Sequence, residues 1–151
     1  FLEVIMSNNF RLSRALLLVS SILLVVVAIT VIFGVIPPVK TDPYPAATPE
    51  KAVPAFWINV IINLVLAMVL ILIANRALFR GRRSSVILVI LALLVILLAF
   101  ALLDAASASR EHGPAMHTAM ILLYLCSAAD FLAAIMIIVT AFVFPRQITT
   151  F

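Results

Sequence analysis

Charge is scarce in this chain. Of its 151 residues only 11% are Asp, Glu, Lys or Arg, while 66% are hydrophobic and the mean hydropathy is +1.33. An ordinary soluble domain is about half apolar and about a quarter charged. Small domains bury only about two thirds of the surface their unfolded chains expose. A soluble fold of this length would therefore leave too much apolar surface in water, and lipid must be its solvent. Cysteine is nearly absent as well. Cys126 stands alone, which excludes an intrachain disulfide and any cysteine-rich metal site. His112 and His117 are five residues apart with no third ligand at helical spacing, so no metal centre is expected. No P-loop, HExxH, GxSxG or CxxC pattern occurs, and no Asn-x-Ser/Thr acceptor. The expectation is a protein without catalytic residues, cofactor or metal.

What is present is long apolar sequence. A helix needs about 20 mostly apolar residues to cross a bilayer. Four stretches qualify, at about 15–36, 55–74, 86–106 and 116–144. Val and Ile are abundant in them, which in water would favour strands. In lipid each span must satisfy its own backbone hydrogen bonds, so uninterrupted apolar runs form helices. Residues 1–151 therefore read as a single all-α membrane domain, a four-transmembrane-helix antiparallel bundle. The first span follows Arg11 and Arg14 like a signal peptide, but it exceeds the usual apolar length and runs into Pro37-Pro38. A retained helix is expected, with Met6 a natural start.

The net charge of +4 and pI near 10.0 would suit nucleic acid in a soluble chain. Here the basic residues flank apolar runs instead. Arg11 and Arg14 precede the first span, Arg76, Arg80, Arg82 and Arg83 separate the second and third, and Arg146 follows the fourth. The other two connections mix Lys40, Lys51 and Arg110 with Asp42, Glu50 and Glu111. The positive-inside rule then places both termini and the arginine turn on the cytoplasmic side. Those four arginines are also the candidate contacts for anionic lipid. Trp57, beside Phe56 at the head of the second span, is the candidate interfacial anchor. Six of the eight prolines lie in "PPVKTDPYPAATPEKAVP", which predicts an extended, stiff connection with a helical turn starting at Thr48-Pro49-Glu50. That connection reads either as a spacer or as a docking strip.

Asp130 is the one charge near a bilayer midplane, about fourteen residues from each end of the fourth span. A charge there costs roughly 2.5–3.5 kcal/mol on insertion scales, so such groups face a bundle or a cavity. Its helical neighbours Cys126, Ser127, Ala133 and Ala134 form a small face that admits another helix, while Leu125, Leu132 and Ile135 face lipid. Asn59 and Asn63 share a face of the second span at matching depth. Asp130, Asn59, Asn63 and Ser127 are thus the candidate intramembrane polar set. The expected partners of Asp130 are the two asparagines.

Topology is similar to that of MARVEL-type and claudin-type tetraspans, and "LCSAADFLAAIMIIVTAFVF" resembles the small-residue final helix of MARVEL proteins. The resemblance implies a membrane-organising role. The claudin Trp/Cys signature is missing from the first outer loop, and no functional residue carries over. With three glycines the chain lacks the Gly-rich packing of rotary-ATPase proteolipid hairpins. The sequence favours a non-catalytic scaffold or small accessory subunit, binding other membrane chains or itself. The alternative is a small transporter or lipid-handling protein using Asp130 with Asn59 and Asn63.

Overall fold

A computed structural model describes residues 2–41, 49–75, 82–108 and 115–148, and the side chains of 12–38, 53–74, 86–107 and 117–142. The described residues are helical throughout. Helix α1 (Leu2–Thr30) runs through a wide π-helical turn, Val31–Val35, into α2 (Ile36–Thr41). Helices α3 (Pro49–Asn75), α4 (Arg82–Ala108) and α5 (Ala115–Ile148) follow. Four segments are long and apolar enough to span a membrane: Leu12–Pro38, Val53–Ala74, Val86–Ser107 and His117–Phe142. They match the stretches expected from hydropathy. With 34 residues, α5 is about 51 Å long at 1.5 Å per residue. It outreaches a hydrocarbon layer of about 30 Å.

The polarity of the molecule is that of a protein in lipid. Phe33, Met68, Leu97, Leu125 and Phe142 each expose more than 60% of their surface. The buried set includes Ser13, Ser20, Ser21, Asn59, Asn63, Ser127, Asp130 and Thr140. Leu125, Leu132 and Ile135 point outward, as their positions opposite Asp130 require.

Seven-residue spacing organises the contacts. On α5 three buried rows run side by side: Ala119, Cys126, Ala133 and Thr140; Leu123, Asp130 and Ile137; and Ser127, Ala134 and Ala141. The first row meets α1, where the Ser20 hydroxyl lies 3.5 Å from the Ala133 carbonyl. The third meets α4, where Ser127 donates to the Ala99 carbonyl at 2.9 Å. Alanines at 92, 99 and 106 line the facing row of α4. Such spacing keeps one seam turned towards a neighbour, and small residues let the backbones approach closely.

Each helix has two principal neighbours at most. α1 packs on α3 and α5, and α4 packs closely on α5. α3 touches α4 only sparsely, and among the described residues no Cα of α3 comes within 8 Å of one of α5. The four spans therefore sit in the order α1, α3, α4, α5 around the bundle, with α3 and α5 at opposite corners.

The proline-rich connection departs from expectation. Helix covers Pro37 and Pro38 within α2, and α3 begins at Pro49 and runs through Pro54. Proline has helical φ, and at a helix end its missing N–H costs little. The predicted extended conformation is thus overturned over 37–41, while the helical start at Pro49 agrees and continues through Pro54; residues 42–48 lie outside the described set. The π-helical turn also follows from the prolines. Their rings would clash with the carbonyls of Phe33 and Gly34 four residues earlier. The chain widens instead, and the Ile36 N–H bonds the Val31 carbonyl five residues back.

Candidate functional site

The core is cut in two at mid-depth. One apolar cluster holds Leu17 and Leu24 of α1, Leu66 and Leu70 of α3, Leu98 of α4 and Ala133 of α5. The other holds Val27 of α1, Val60 of α3, Leu102 of α4 and Cys126 of α5. Between them on α3 lies Asn63; on α5 lie Ser127 and Asp130. A polar layer separates the two halves.

The layer occupies positions that elsewhere take large apolar side chains. The inward row of α5 reads Leu123, Asp130, Ile137, and that of α3 reads Phe56, Asn63, Leu70. The corresponding rows of α1 (Leu17, Leu24, Val31) and α4 (Leu88, Val95, Leu102) are wholly apolar. Asp130 and Asn63 are both fully buried. They point inward from opposite corners of the bundle.

Their hydrogen bonding differs from the expected pair. The Asn63 amide nitrogen donates to the Asn59 carbonyl at 2.9 Å and to Asn59 Oδ1 at 2.7 Å, within its own helix. Asn63 Oδ1 and both carboxyl oxygens of Asp130 have no hydrogen-bond partner. The direct Asp130–asparagine bond is therefore not made, because α3 and α5 are diagonal rather than adjacent. Cys126 lies beside Asp130 and reaches the Thr30 hydroxyl on α1. No basic side chain is buried among the described residues, so none of these balances a negative Asp130.

The remaining candidates fall elsewhere. Trp57 is 41% exposed at the start of the second span. Arg82 and Arg83 open α4, whereas Arg76 and Arg80 lie outside the described residues, as does His112. No group of three or more His, Cys, Asp or Glu able to hold a metal occurs among the described residues. Sequence reasoning passed over Ser13, Ser20, Ser21 and Thr140, all buried. The available signal was spacing: Ser13, Leu17, Ser20, Leu24 and Val27 alternate by four and three along α1.

A buried carboxyl with no bonded partner has little structural use, since a leucine would fill the position without an unmet polar group. Chemically the layer offers oxygen atoms only: two from the carboxyl and one carboxamide oxygen. Comparison of the chain with family models, with characterised proteins and with solved structures finds no match.

Proposed function

We propose that this integral, multi-pass protein is a small membrane transporter whose working part is the Asp130–Asn63 layer. One observation carries the reading: the Asp130 carboxyl is fully buried, turned into its own bundle, and bonded to nothing. Polar residues that merely join helices make hydrogen bonds, as Ser127 does with Ala99. A costly intramembrane acid that makes none marks a path or a binding place. The spans form an antiparallel bundle, with both termini and the arginine turn on the cytoplasmic side. Reconstituted liposomes test the function. Wild-type protein supports flux of a small polar solute or ion, and Asp130→Asn abolishes it. Equal flux from both would sink the reading.

A second reading, as a scaffold or small subunit of a larger membrane assembly, draws support from the sparse packing of α3 on α4. A partner helix laid along that side would complete the bundle. The membrane-organising role of similar tetraspans belongs with this reading. Mild-detergent purification distinguishes it: stable co-purification of other membrane chains supports assembly, and a monodisperse lone chain with flux excludes it.

A further inference from the structure

We infer that Asp130 and Asn63 together hold one small monovalent cation of the sodium class, in exchange with a proton on the carboxyl. The inference rests on the transport reading and names its substrate class.

Size comes first. Neighbouring helix axes stand about 8–10 Å apart, so diagonal axes are about 13 Å apart. Taking off a Cα radius of about 2.3 Å at each side leaves about 8–9 Å between facing Cα positions. The carboxyl of Asp130 and the amide of Asn63 close most of that span. Two side chains reaching inward across such a span leave no room for an organic solute.

Charge comes second. The site carries one ionisable carboxyl and no buried base, so a single positive charge balances it. Among the described side chains of the four helices the one other acid is Asp104, exposed near the far end of α4, and the basic groups Arg14 and His117 are exposed as well. The neighbouring Cys126 is the one other ionisable group beside it. Two carboxylates would suit a divalent ion; one suits a monovalent ion or a proton.

Donor chemistry comes third. Of the four buried side-chain atoms that make no hydrogen bond among the described residues, three lie in this layer and all three are oxygens; the fourth, Ser13 Oγ, lies elsewhere on α1. Carboxylate and carbonyl oxygens favour hard cations. Asn63 has its donor nitrogen held by Asn59, which leaves the oxygen as its free end. Asn59 thereby acts as a positioning residue, turning an ambidextrous amide into an acceptor.

The test uses the purified full-length chain in detergent, with dicyclohexylcarbodiimide as the probe because it attacks protonated carboxyls in apolar surroundings. Asp130 should be modified in choline chloride. Sodium chloride at ten times its dissociation constant should slow the modification about tenfold, because only the cation-free fraction reacts. Asn63→Leu should keep the reactivity and lose the sodium protection. Sodium should also raise the Tm of the wild-type chain and leave that of Asp130→Asn unchanged. Equal modification rates in sodium and choline, or equal Tm responses in the two proteins, overturn the cation site. If liposome flux still depends on Asp130 after such a result, the transport reading survives with another substrate. If flux is indifferent to Asp130→Asn, the transport reading itself is lost.

Discussion

Ser127 donates its hydroxyl proton to the main-chain carbonyl of Ala99, 2.9 Å away on the neighbouring helix, one turn before Asp130. The bond is possible because alanines at 92, 99 and 106 give α5 a flat track along α4. Interhelical bonds of this kind contribute about 0.6–2 kcal/mol in membrane proteins. Ser127→Ala should lower stability by that amount, measured by unfolding in mixed micelles. Ser127→Leu should do worse, since added methylenes in a packed seam cost about 1–3 kcal/mol. A Ser127→Ala protein as stable as wild type would show the bond to be dispensable.

Asp130 should behave in the opposite sense. Its oxygens make no hydrogen bond inside the bundle, and Leu123 and Ile137 flank it in the same row. Asp130→Leu should therefore stabilise the fold by about 1–3 kcal/mol, the desolvation cost of an unsatisfied group. The same substitution should remove flux. Had the carboxyl bonded the asparagines, as their matching depth suggested, the change would destabilise instead. The sign of the stability change decides between the two arrangements.

Gly34 and Leu122 should be energetically coupled. A Cβ placed on Gly34 would lie 2.5 Å from Leu122 Cδ1, the end of a movable side chain. Gly34→Ala gains up to about 1 kcal/mol in helix propensity. The required shift of Leu122 offsets that gain, so the net change should be close to zero. In a Leu122→Ala background the offset disappears and Gly34→Ala should stabilise. A double-mutant cycle should return a coupling of about 0.5 kcal/mol or more; additivity would show the two helices to be separated there in the membrane.

Replacing Arg80, Arg82 and Arg83 with glutamine should reduce the anionic phospholipid retained through purification. Each basic residue near an anionic surface contributes about 1 kcal/mol. Lipid content that stays unchanged would leave these arginines as determinants of orientation alone.

The spans could be read directly, because about 20 residues of continuous apolar sequence have one solution in lipid. The inward aspect of Asp130 was also legible, from the small residues at Cys126, Ser127, Ala133 and Ala134. Its partner was not. Matching depth places Asn63 and Asp130 in one layer, but which helices touch is decided by packing among all four, and α1 stands between α3 and α5 on one side of the bundle. The helix through Pro37 and Pro38 was missed for a local reason. Proline opposes a helix chiefly through the carbonyl four residues earlier, and a widened turn can move that carbonyl aside.

The widened turn at Val31–Val35 has a genetic reading. Along α1 buried pairs recur every seven residues, Ser20 with Ser21 and Val27 with Ala28, and unbroken counting would next bury Gly34 and Val35. The buried pair is Val35 and Ile36, one place later. The turn has absorbed one surplus residue, looping it outward while the helices on either side keep their faces inward. Phe33, 75% exposed, is the natural candidate for that surplus. Deleting Phe33 should leave the face from Val35 onward correctly aimed, and the protein should still fold. Deleting Val25, in the regular part of α1, should rotate every later side chain by about 100° and unmake the bundle. Within a single transmembrane helix, then, the same one-codon loss is tolerated at one site and ruinous eight residues away.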